Sequence, residues 1–224
     1  MLVVLGLLTL VTGLVDAACY LGLGQVFTAN QTGNAVLLAF GAASAPGLPI
    51  LGPTVSLVMF LLGAAGGGWL ATRRVGSATT PVSAAARQRW LGITLLIELG
   101  LVTAAGILAI GLPVDGGGDR RYAVIALLAA ALGLQNATVR RLAVPDITTT
   151  VLTMTLTGLA ADLHLAGRSP RAGRRLAAVA LMAAGALVGA LLLRVDVALP
   201  VLASAVVIAL AAVELRFGRS RATT

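Results

Sequence analysis

Eight apolar segments punctuate the chain, and two of them are too short to cross a membrane comfortably. They run over 2–23, 30–45, 54–71, 90–110, 122–138, 147–163, 176–193 and 197–215. A full helical crossing takes about 20 residues, within a range of about 17–25. The segment at 30–45 falls short, and the one at 147–163 is marginal and rich in threonine. Hydrophobic residues make up 58% of the 224 positions and charged residues 11%. A soluble domain cannot bury that much apolar surface, so the chain reads as an all-α, polytopic membrane protein.

Charge decides what the two short segments do. The net charge is +8, and every one of the 16 basic residues is arginine. They cluster as Arg73, Arg74, Arg87 and Arg89; Arg140 and Arg141; Arg168, Arg171, Arg174 and Arg175; and Arg216, Arg219 and Arg221. If all eight segments cross, the loop at 72–89 lies opposite both the loop at 164–175 and the C-terminal tail. If 30–45 and 147–163 are instead re-entrant half-helices, all four clusters share the cytoplasmic side. The loops at 46–53 and 111–119, which hold no arginine, then face outward. The positive-inside rule selects the second arrangement: six full transmembrane helices, two half-helices and both termini cytoplasmic. The basic balance is thus a matter of topology, which argues against nucleic acid as a partner. Arginine without lysine points to a GC-rich bacterial genome and so to the bacterial cytoplasmic (inner) membrane.

The two halves repeat. Gly13-Leu14-Val15-Asp16-Ala17 matches Gly133-Leu134-Gln135-Asn136-Ala137, Phe27-Thr28 matches Ile147-Thr148, and Thr32-Gly33-Asn34 falls near Thr153-Met154-Thr155. Each half reads as a long span, a polar break, a short segment and two more long spans. Three full crossings per half turn the second upside down relative to the first, an inverted-topology repeat of the kind found in secondary transporters. The expected units are 1–111, 120–216 and a cytoplasmic tail at 217–224.

The candidate chemistry gathers at the breaks. Asn30, Thr32 and Thr148, Thr149 and Thr150 are the residue types that cap helix N-termini, and Asn34 follows directly. Two buried helix N-termini meeting from opposite sides would suit an anionic or polar solute. The competing reading has the same side chains tying helices together. Asp16 is an acid inside a span, and Glu98 lies near the middle of another; either could carry a coupling proton, or form a hydrogen bond within the scaffold. Gln135 and Asn136 occupy the second half's equivalent position and suit solute contact or anchoring. Arg140 and Arg141 fit a snorkelling role at the interface. Cys19 is the only cysteine, which excludes an internal disulfide. Asp162 with His164 makes no metal site, and no cofactor is expected. Gly66, Gly67 and Gly68 in one span and Gly185 and Gly189 in another suit close helix packing or a homodimer seam. Trp69, Trp90 and Tyr122 stand at segment ends, as interfacial anchors do.

The stretch TGLVDAACYLGLGQVFTANQTGN, with GLQNATVRRL and DITTTVLTMTLTGLAADL further on, resembles the YoaK family of bacterial membrane proteins (DUF1275). The resemblance covers nearly the whole chain and implies a small integral membrane protein. Met154 departs from the pattern, standing where a glycine is expected. The function expected from the residues is a secondary transporter or facilitator of a small polar or anionic solute. Its site is Asp16, Asn30, Thr32, Asn34, Gln135, Asn136, Thr148, Thr149 and Thr150, with Asp16 or Glu98 coupling protons. A channel of the same architecture and a non-transporting sensor or assembly protein are the alternatives. No candidate acid or nucleophile has a catalytic companion, so the chain is not read as an enzyme.

Overall fold

The computed structural model describes residues 1–43, 47, 50–75, 83–114, 118–142, 157 and 170–220. These form seven helices: α1 (Leu2–Gly22), α2 (Gln31–Ala42), α3 (Leu51–Val75), α4 (Ala84–Ala109), α5 (Asp119–Leu142), α6 (Pro170–Leu192) and α7 (Ala198–Ser220). All but α2 are long and apolar enough to cross a bilayer. The 12 residues of α2 rise about 18 Å, well short of a hydrocarbon core of about 30 Å. The second short segment, 147–163, lies outside the described residues apart from Thr157.

Glycine contacts give the direction of each helix. Gly13 of α1 lies against Met182 and Ala186 of α6, while Gly189 of α6 lies against Leu14 and Ala17 of α1. Numbers rise together, so α1 and α6 run parallel. In α5, Gly133 lies against Phe60 and Ala64 of α3, and Gly67 of α3 lies against Leu134 and Ala137, so α3 and α5 are also parallel. Between α4 and α7, Gly92 faces Leu215 and Gly106 faces Leu202, which makes that pair antiparallel. Eight crossings would have made α4 and α7 parallel, and seven would have made α1 and α6 antiparallel. Six crossings satisfy both constraints, and the chain leaves α5 and enters α6 at the same end of the bundle.

Small residues at these seams let backbones approach, which is how helices associate where lipid competes equally for apolar side chains. The helices then sort by burial in matched pairs. The most apolar windows of α1 and α5 are 67% and 61% buried, those of α4 and α7 39% and 44%, and those of α3 and α6 17% and 11%. The central helices supply half of the buried hydrophobic side chains, among them Leu5, Leu8, Val11 and Val15 on α1 and Ile125, Leu128 and Leu132 on α5. The outer helices turn Leu61, Leu62 and Leu187 outward, as lipid-facing surfaces require.

The charges follow. Arg73, Arg140, Arg141, Arg174, Arg175 and Arg216 all stand at one end of the bundle. Arg120, Arg121 and Arg194, which belong to none of the four clusters, stand at the other. One anchor assignment is corrected. Helix α4 starts six residues before Trp90, with the Ser83 hydroxyl accepting from the Ala86 N–H at 3.2 Å. Trp90 therefore sits well inside the helix and is only 1% exposed. Trp69 does lie at a surface, with the Arg73 guanidinium 4.4 Å above its ring.

Candidate functional site

Helix α1 stops where the backbone turns left-handed, at Gly24 (φ +95) and Gln25 (φ +58). The Gln25 N–H donates to the Tyr20 carbonyl at 3.1 Å, and the chain doubles back along the helix it has just left. Backbone with no helix or sheet partner is costly in a bilayer unless something else satisfies it. Asp16 does part of this. Its Oδ1 accepts the N–H groups of Thr28 and Ala29, both at 2.9 Å, and the Thr28 hydroxyl at 3.2 Å.

Asn34 does the rest. Its Oδ1 accepts the Phe27 N–H at 3.0 Å, and its Nδ2 donates to the Phe27 carbonyl at 2.6 Å and to Gln31 Oε1 at 2.8 Å. The Ser56 hydroxyl, reaching in from α3, also donates to the Phe27 carbonyl at 2.6 Å. Gln31 Nε2 donates to the Thr28 carbonyl at 2.9 Å. Asn34 and Ser56 are fully buried, and the Tyr20 and Phe27 rings stack at 4.7 Å on the flank of the turn. The result is a clasp that fastens the break to α1 on one side and to α2 and α3 on the other.

The expected helix caps look different. Asn30 occupies the N-cap position of α2, yet its side chain makes no capping bond. It accepts from the Thr32 hydroxyl at 2.8 Å instead, on the exposed rim. The first turn satisfies itself, with Gly33 N–H and Asn34 N–H donating to the Asn30 carbonyl at 3.1 and 3.4 Å. Thr148, Thr149 and Thr150, like Asp162 and His164, lie outside the described residues.

A second polar group forms where α1 crosses α5. Thr9, Thr12 and Asp16 fall at i, i+3 and i+7, on one face of α1. Gln135 Nε2 donates to Thr12 Oγ1 at 3.2 Å, and the Thr12 hydroxyl donates to the Leu8 carbonyl at 3.0 Å. Asn136 Nδ2 donates to the Leu132 carbonyl of its own helix at 2.8 Å. Glu98 is separate, in the middle of α4, 2% exposed and with Oε1 unbonded.

Of the residues picked from the sequence, Asp16 and Asn34 thus meet through the segment 27–29, Gln135 bonds to α1 one turn below Asp16, and Asn30 and Thr32 stay at the rim. The sequence reading missed Thr12 and Ser56. The spacing of Thr9, Thr12 and Asp16 could have shown the first, and a lone hydroxyl among the apolar residues of α3 the second. Gly67, Gly185 and Gly189 are consumed within the chain. The partner of Gly185 on the other seam is Gly63, set against the Ala130 carbonyl, whereas a side chain at Gly66 or Gly68 would meet nothing. An apolar surface groove of about 310 Å³ among α3, α4 and α5, lined by Gly63, Gly66, Trp69 and Leu134, is separate from the polar groups.

No solved structure matches the chain. Over 159 residues, 71% of this chain, it is 31% identical to the UPF0700 transmembrane protein YoaK of Bacillus subtilis (strain 168). The match spans 65% of that protein, a little under two thirds. The family model described as Protein of unknown function (DUF1275) matches residues 4–213, from the first turn of α1 into α7. With six helices long enough to cross a bilayer and a family match over nearly its whole length, this multi-pass membrane chain belongs to the DUF1275 family.

Proposed function

We propose that this is a secondary transporter or facilitator for a small polar or anionic solute, seated in a bacterial inner membrane with both termini cytoplasmic. One observation carries the reading: the helix packing is duplicated with every direction reversed. Replacing α1 by α5, α3 by α6 and α4 by α7 turns the α1–α6 seam into the α3–α5 seam and flips each helix. An inverted-topology repeat of 1–111 and 120–216 accounts for this, and such repeats recur in transporters whose solutes bind where the halves meet. The excess of arginine at one end supports the orientation.

In this reading the solute contacts come from the α1–α5 crossing, with Asp16, Gln135 and Asn136. Asn30 and Thr32 lie at the mouth, Asn34 pins the break, and Thr148, Thr149 and Thr150 complete the set on sequence alone. Asp16 or Glu98 couples protons. The chain acts without enzymatic chemistry, cofactor or nucleic acid. A second copy would meet α3 at Gly66 and Gly68.

A second reading, a non-transporting sensor or assembly protein, is favoured by the clasp itself, since Asn34, Gln31 and Ser56 satisfy one another without a ligand. The test is a thermal-shift screen of purified protein against small polar metabolites, repeated on Asp16→Asn and Asn34→Ala, followed by uptake into proteoliposomes. Saturable, competable uptake of a compound that shifts wild type alone supports transport. Large currents indicate a channel. Binding with no flux favours the second reading, and hits that shift all three proteins equally place the site elsewhere.

A further inference from the structure

Two buried oxygens on the facing sides of α1 and α5 lack donors, and the bonding around them says what is missing. The Thr12 hydroxyl hydrogen goes to the Leu8 carbonyl, so toward Gln135 its oxygen can only accept. That forces the Gln135 amide to present its NH2 group to Thr12 and to turn Oε1 away. Oε1 has no partner, and Gln135 is 1% exposed. Asp16 repeats the pattern one turn up. Its Oδ1 takes the N–H groups of Thr28 and Ala29 and the Thr28 hydroxyl, the Asn30 N–H also lies against the carboxyl, Oδ2 has no hydrogen-bond partner, and the residue is 6% exposed. Side chains on a helix lean toward its N-terminus, which carries the Asp16 carboxyl back over the turn of Thr12, where Gln135 is bonded.

No hydroxyl nearby can supply the donor. Thr9 is bonded to the Leu5 carbonyl, Thr138 to the Leu134 carbonyl, and Thr28 to Asp16 Oδ1 already. Nor does a described cation reach the carboxyl. Arg121 of α5 lies beside Gly24, past the end of α1, and donates to the Tyr122 hydroxyl, while Arg194 and Asp196 follow α6 at that same end, Asp196 Oδ1 accepting the Ala198 N–H. Arg174 and Arg175 of α6 and Glu214 and Arg216 of α7 stand at the far end of the bundle. Cys19, on α1 itself, has its sulfur 3.8 Å from the Thr28 hydroxyl oxygen. Acids within a bilayer pair with a positive charge or give up their own.

We infer that Asp16 Oδ2 and Gln135 Oε1 seat a single positive charge between the halves, supplied by a proton or by an alkali cation. Oxygen-only donors suit either source. In being the coupling site it rests on the transport reading; as a binding site it stands without it. The second half provides the comparison. Where the first half has Asp16, the second has Asn136, whose amide carries its own donor. Asp16→Asn keeps an oxygen for Thr28 and Ala29 and places an NH2 group toward Gln135, imitating the occupied site.

The experiment is thermal unfolding of detergent-purified protein, first across pH in choline chloride, then at fixed pH in lithium, sodium or potassium chloride at constant ionic strength. Wild type is expected to gain stability saturably from protons or from one alkali cation, as mass action requires of a ligand that binds the folded state. The choline series identifies the proton, and the salt series identifies the metal. Asp16→Asn is expected to fold, match occupied wild type and respond to neither. Gln135→Leu is expected to fold and to need about tenfold more of the ligand. Equal responses from wild type and Asp16→Asn in every series overturn the inference, as does a Gln135→Leu response identical to wild type. A positive binding result with no solute flux leaves this site standing and removes the transport reading instead.

Discussion

In α1, Gly13 nests against Met182 and Ala186, and Gly185 returns the contact against Leu10 and Leu14. In α5, Gly133 nests against Phe60 and Ala64, and Gly63 returns the contact against Ala130. The glycine contacts of the two seams correspond position for position. The correspondence fails two and three positions past the glycine, where α1 has Val15 and Asp16 and α5 has Gln135 and Asn136. A seam between parallel helices needs only small residues at fixed intervals, and both halves keep them. A site for a charged or polar ligand need not be symmetric. The two seams share their glycine packing and differ in their titratable chemistry.

The seams offer the most direct way to break that comparison. Gly13→Val and Gly133→Val each push a side chain into a backbone carbonyl across the seam. Each is expected to cost about 3 kcal/mol, the upper end of overpacking, measured by denaturant unfolding in mixed micelles. Equal losses support equivalent seams, and tolerance at one of the two breaks the equivalence. Next comes Asn34→Leu, which strands the Phe27 N–H and leaves the Phe27 carbonyl with Ser56 alone. It is expected to cost about 2 kcal/mol, read by the same measurement. Ser56→Ala removes one of two donors to that carbonyl and is expected to cost about 1 kcal/mol. Smallest is Gly66→Ala, where a side chain meets nothing. It is expected to stay within about 0.5 kcal/mol of wild type; a larger loss in the membrane than in dilute micelles would point to a second copy at that face.

The number and direction of the crossings were legible because they rest on sums. Hydropathy adds over some twenty residues, and among the described residues Arg73, Arg140, Arg141, Arg174, Arg175 and Arg216 at one end of the bundle outnumber Arg120, Arg121 and Arg194 at the other. Single side chains were harder. Trp90 read as an interfacial anchor because Arg87, Gln88 and Arg89 end the apolar run, although the helix continues through them. Asn34 read as a ligand contact because an amide that can hold a solute can equally hold a peptide group, and only the fold shows that Phe27 takes it. The bond between Thr12 and Gln135 joins residues 123 apart, a distance over which no local pattern speaks. Gly67 answers Gly189, each set against a leucine and an alanine of the facing helix, whereas Gly63, the counterpart of Gly185, stands alone among apolar residues and gives no signal.

Each parallel seam pairs a helix of one half with a helix of the other, and that has a consequence for biosynthesis. When Gly22 enters the bilayer, the helix it must lock against does not begin until Pro170. At about 5–20 residues per second, roughly 7–30 seconds of translation separate the two. Throughout that interval the glycine face of the first helix must be shielded by lipid or by the insertion machinery. A nascent chain released before its penultimate helix emerges would leave that face bare, a signal by which quality control could recognise the unfinished protein.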